Sequence, residues 1–120
     1  MFYLSTRDRS IKKSFNDILF EGLSKDGGLY LPSEWPIINV KSLKGKNYNE
    51  IAYDVIFPYV KESIISSDLK KLIEKSYSNF NHEKIAPLID IEKNRYILEL
   101  FYGPTLAFKD YAMQFLGNLF

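Results

Sequence analysis

The sequence predicts an α/β chain, with an α+β region over residues 1–84 and a shorter strand–turn–helix region over residues 85–120. Three observations carry this. Short apolar stretches bounded by turn residues, Tyr3–Thr6 and Leu29–Leu31, read as strands. Apolar residues recur at helical spacing in Ile51, Ala52, Val55 and Ile56, and again in Leu69, Leu72, Ile73 and Tyr77. Near the end, Tyr96–Phe101 reads as a strand and Gly103-Pro104 as a turn. Ala112, Met113, Phe115, Leu116, Leu119 and Phe120 then fall on one helix.

Taken in order, Tyr3–Thr6 opens the first region. Ser14 followed by Asp17 resembles a capping box ahead of a helix to about Leu23, with Ile18, Leu19 and Leu23 as its buried stripe. Asp26-Gly27-Gly28 is a turn, because glycine takes positive φ freely. Leu29–Leu31 follows and Pro32 closes it. Ser33 to Gly45 reads as an irregular connection in which Trp35 is expected to anchor the packing. Asn47 or Asn49 caps the next helix, which Pro58 ends or kinks. A further helix starts near Ser66-Ser67-Asp68. The polar stretch Asn79–Lys84 reads as a linker, and Ile85–Ile91 as an extended segment.

Composition excludes several classes. Sixteen basic and fifteen acidic residues leave a net charge of +1, which gives no electrostatic case for nucleic acid or an anionic membrane. Lysines on the two middle helices alternate with Glu50, Asp54, Glu62 and Glu74, as on a solvated face rather than a DNA reader. Cysteine is absent, so there is no disulfide framework, thiolate metal site or thiol nucleophile. The single histidine, His82, has no partner set for metal binding or base catalysis. No apolar run approaches 18 residues and the N-terminus has no signal-peptide pattern; the expected location is cytoplasmic. An apolar content of 46% suffices for a core.

The chemistry concentrates in Gly103-Pro104-Thr105-Leu106-Ala107-Phe108-Lys109-Asp110. Lys109 lies where a turn feeds a helix. A lysine becomes a nucleophile or base when burial among apolar groups or a nearby positive charge disfavours its charged form. Phe108 and Leu106 could supply an apolar wall. A phosphate-binding loop is excluded: that motif needs a second glycine and a Ser or Thr after the lysine, and Phe108 and Asp110 stand at the corresponding places.

Leu100-Phe101-Tyr102-Gly103-Pro104-Thr105-Leu106-Ala107-Phe108-Lys109-Asp110 resembles the cofactor-lysine motif of threonine synthases. Tyr3-Leu4-Ser5-Thr6-Arg7, Ser14-Phe15 and Asp26-Gly27-Gly28-Leu29-Tyr30-Leu31-Pro32 resemble that family's N-terminal domain in order and spacing. The chain departs from the family pattern at Tyr102, commonly histidine, and at Asp8, often glycine. The resemblance implies a threonine synthase N-terminal domain over 1–84, followed over 85–120 by the first strands and helix of a type II pyridoxal-phosphate enzyme fold. It implies that pyridoxal phosphate is held by Lys109 as a Schiff base, with Phe108 walling the pocket and Thr105 supplying a nearby hydroxyl. Lys109 would then move protons at Cα and Cβ of O-phosphohomoserine while phosphate leaves Cγ and water adds at Cβ, giving threonine.

The six glycines, at 22, 27, 28, 45, 103 and 117, form no glycine-rich phosphate cradle after Lys109. In the family that cradle and the ring-nitrogen partner come from later sequence. The expectation is therefore a truncated chain that does not itself bind the cofactor. The alternative is a non-enzymatic remnant or a domain that binds a partner. In either case Met113, Leu116, Leu119 and Phe120 are expected to be exposed and to drive self-association.

Overall fold

A computed structural model describes the whole chain, Met1–Phe120. The order is β1 (Tyr3–Ser5), β2 (Lys12–Lys13), α1 (Phe15–Glu21), β3 (Tyr30–Pro32), a 3₁₀ turn (Val40–Leu43), α2 (Tyr48–Val60), α3 (Ser66–Tyr77), β4 (Leu88–Glu92), β5 (Arg95–Leu98) and α4 (Asp110–Leu119). No helix is long and apolar enough to cross a membrane.

β1 is the middle strand of a small sheet ordered β2-β1-β3, antiparallel throughout, with Leu4 opposite Lys12 on one side and Leu31 on the other. β4 and β5 form a separate antiparallel hairpin closed by Lys93-Asn94, with Asn94 at φ +64. Asparagine tolerates that left-handed conformation at a two-residue turn.

α2, α3 and α4 meet around Val60, Leu69, Ile73, Tyr77 and Ile85, the five residues of the buried apolar core. Leu69 and Ile73 are among the most fully buried side chains. Each contributes about 1.5–3 kcal/mol by leaving water. An aromatic chain runs through the helix contacts. Tyr48–Tyr77, Tyr77–Phe80 and Phe80–Tyr111 meet edge to face at 4.8, 5.3 and 4.9 Å. The small sheet is tied to this layer where the Tyr3 hydroxyl donates to the Tyr59 carbonyl at 2.8 Å.

The capping box at Ser14/Asp17 forms as the sequence predicts, and of the two candidate caps for α2 it is Asn47 that serves, in a box with Glu50. Other expectations are corrected. α1 stops at Glu21, because Gly22 turns the chain with φ +70, and it has no buried residue; Leu23 points outward. Trp35 is 68% exposed. Its ring lines a shallow cleft with Leu4 and Leu31 at the edge of the small sheet. Pro58 neither ends nor breaks α2, which continues to Val60. Its ring removes one intrahelical donor, and only two residues of α2 follow it. β5 ends at Leu98 rather than Phe101, although Glu99 N–H still reaches the Pro87 carbonyl at 3.0 Å. His82 serves its own turn, its Nδ1 accepting from Lys84 N–H at 3.1 Å.

Candidate active site

The loop from Gly103 to Lys109 is shaped from within. Its anchor is Asp110, the first residue of α4, which is 3% exposed and the only buried charged residue of the chain. The Thr105 N–H donates to one carboxylate oxygen of Asp110 and the Thr105 hydroxyl to the other, both at 2.8 Å. Gly103 closes the same knot. A Cβ there would lie 2.8 Å from Asp110 Cγ and closer still to its Cβ and Oδ2. Leu106 sits at φ +61, an uncommon conformation for a bulky residue, with its N–H on the Gly103 carbonyl at 3.0 Å. Burial pushes the Asp110 carboxyl up, but hydrogen bonds, foremost from Thr105 and then from Gln114 and Ala107, outweigh it and hold the carboxyl below its ordinary value.

This knot sets Lys109 immediately before α4, in helical conformation and with no ion pair. Lys109 stands on an apolar groove of about 440 Å³ lined by Tyr48, Ala86, Leu98, Leu100, Phe108, Tyr111, Ala112 and Met113. The groove is open and Lys109 itself is exposed, so the apolar enclosure expected around the amine is only one-sided. Phe108 is on the same wall but 67% exposed. Thr105 directs its hydroxyl at Asp110, so within this chain it braces the loop. The floor is held from below: the Tyr77 hydroxyl donates to the Tyr111 carbonyl at 2.9 Å, and the Tyr111 hydroxyl to the Ile85 carbonyl at 2.7 Å.

In the sequence Asp110 enters only as a residue that excludes a phosphate-binding loop, and Gly103 only as a turn. The signal was present in the five-residue spacing of Thr105 and Asp110 across a helix start, the reach of an acid that caps the loop before it. No group of three or more His, Cys, Asp or Glu side chains stands where it could hold a metal. A further groove, between α2 and α3, is lined mostly by polar residues, and Lys109 is not among them.

The family model described as the threonine synthase N terminus matches residues 2–77. The chain belongs to the threonine synthase family. It is 45% identical to threonine synthase of Pseudomonas aeruginosa over 99% of this chain and 26% of that protein. Against threonine synthase of Schizosaccharomyces pombe it is 48% identical, over 98% of this chain and 24% of the other. The pyridoxal-phosphate-bound threonine synthase of Brucella melitensis superposes with a TM-score of 0.94 at 42% identity, over 99% of this chain and 26% of that one. The chain thus spans about a quarter of the length of the threonine synthases it matches.

The family's cofactor needs an amine for its aldehyde, apolar space for its ring and a cradle for its phosphate. Lys109 on its groove fits the first two. The third is not met at α4, where the Asp110 carboxylate occupies the first turn and the first N–H groups already donate to Ala107, Phe108 and Lys109 carbonyls. A helix start holding its own anion repels a second one.

Proposed function

We propose that the chain is the N-terminal portion of a threonine synthase acting on O-phosphohomoserine, with Lys109 as its cofactor lysine. Residues 1–84 are the N-terminal domain and 85–120 the first elements of the catalytic one. The observation that carries this is Lys109, unpaired on an apolar groove and set there by a self-braced loop. Pyridoxal phosphate, when bound, supplies the electron sink. Lys109 Nζ is the chain's own proton carrier: it would take protons from Cα and Cβ so that phosphate can leave Cγ, and return protons to Cγ and Cα as water adds at Cβ. Phe108 and Met113 line the groove and exclude water from one side of it. Thr105 orients nothing but the loop that presents the amine.

The test is a fusion of this chain to the part of the S. pombe enzyme beyond the matched quarter. It should show the visible absorption band of covalently held pyridoxal phosphate and form threonine, and Lys109→Ala should abolish both. The free chain should retain no cofactor through gel filtration. A folded fusion without the band, or a band that survives Lys109→Ala, would sink the assignment.

A second reading, self-association of the free chain, is favoured by its surface. It exposes 8,583 Å². A monomer of 14.0 kDa exposes about 6,700 Å². Much of the excess is apolar, on both faces of the β4–β5 hairpin and on α4, where Met113 is 55% and Phe120 69% exposed. Faces of this kind associate. Light scattering should show oligomers that grow with concentration; a stable monomer at high concentration overturns this reading.

A further inference from the structure

We infer that Asp110 is a positioning residue for Lys109: the pair it makes with Thr105 fixes the 103–109 loop and so presents the lysine amine to the groove. The inference rests on Lys109 being the cofactor lysine. Three observations carry it. Asp110 is the only charged residue buried in the chain, and it has no cationic partner. A buried carboxylate without a cation is costly unless hydrogen bonds satisfy it. Here Thr105 supplies a donor to each of its two oxygens, from the backbone N–H and from the hydroxyl. Gly103 leaves exactly the room the carboxylate fills, since any side chain there would overlap it. The strained Leu106 persists between these two fixed points, as such conformations do when their surroundings over-determine them.

The bond network also points away from Lys109. Asp110 turns its charge back into the loop, so the amine one residue earlier is left without an ion pair and free to face the groove. A carboxylate placed merely to cap α4 would not require the glycine opposite it. The arrangement as built couples the helix start to the loop and leaves the lysine at their junction.

The experiment uses the whole 120-residue chain and pyridoxal phosphate as probe. A lysine amine adds to the aldehyde with loss of water, and borohydride delivers hydride to the carbon–nitrogen bond and fixes it. Peptide mass analysis then reads labelling of Lys109 against the other twelve lysines. Wild type should label Lys109 ahead of the rest. Asp110→Asn and Thr105→Val should lower that preference about tenfold. Thr105→Ser, which keeps the hydroxyl, should restore it. Circular dichroism checks that each variant is folded; should Asp110→Asn unfold, the Thr105 pair decides alone. Preferential labelling that persists in the folded variants overturns the positioning role and leaves Lys109 as cofactor lysine. A wild type without preference overturns the positioning role, and the absorption band of the fusion with the S. pombe portion then decides the cofactor-lysine reading on its own.

Discussion

Asp26 does at the N-terminal end of the chain what Asp110 does at the other: it knots a turn around an acceptor. The Ser5 hydroxyl donates to both its oxygens, at 2.8 and 2.9 Å, and Gly28 N–H donates at 2.8 Å. The Gly28 bond foremost, with Ser5 adding to it against the effect of burial, holds the Asp26 carboxyl below its ordinary value. Asp110 is lowered too, where the Thr105 bonds overcome burial. A carboxyl lowered in the folded state adds stability that is complete above the unfolded value, about 3.9, and is lost as pH falls through the folded one. The melting temperature should therefore hold level above about pH 5 and fall steeply below about pH 4. Asp26→Asn should flatten that acid limb. An unchanged limb in Asp26→Asn and Asp110→Asn alike would show that neither knot contributes.

At the scale of elements, the two capping boxes use the same chemistry on helices of different weight. α1 has no buried residue, whereas α2 contributes Val60 to the core and presses Tyr48 on Tyr77. Asn47→Ala removes the acceptor for Glu50 N–H and should cost about 1 kcal/mol, read as a lower urea midpoint. Ser14→Ala should move that midpoint less, because fraying α1 uncovers little. Equal shifts would mean that α1 is as integral as α2. The Ser14/Asp17 box was legible because a cap is local and needs only the residue types at N-cap and N3, whereas Asn47 and Asn49 were left as alternatives until the structure chose Asn47. The length of α1 was misread although its stop, Gly22, is local, and α2 runs past Pro58 because a proline this close to a helix end removes one bond without stopping the last turn.

The molecule as a whole is extended. Its radius of gyration is 16.4 Å, against about 14 Å for a compact chain of this length. Only 13 of 120 residues are buried, so each core side chain weighs heavily. Leu69→Ala should cost about 2–5 kcal/mol and abolish the cooperative urea transition. A retained transition would show that stability resides elsewhere, in the sheet or hairpin. The β4–β5 hairpin explains why the radius is large: it stands off the three-helix core with both of its faces exposed.

Much of this was readable from residue types alone. The turns, caps, helical faces and the Gly103–Asp110 motif depend on neighbours a few positions apart, and short-range chemistry sets them. Trp35 was read as an anchor and is not one, because burial depends on which distant segment arrives above a side chain. The Lys109 groove likewise draws on α2, the β4–β5 segment and α4, residues separated by up to 65 positions along the chain. The role of Asp110 lay between these cases. Its partner is only five residues away, yet that its carboxylate turns inward, away from the lysine beside it, was settled by packing: α4 lies on α3 through Tyr77 and Tyr111, and that contact leaves Asp110 facing Gly103.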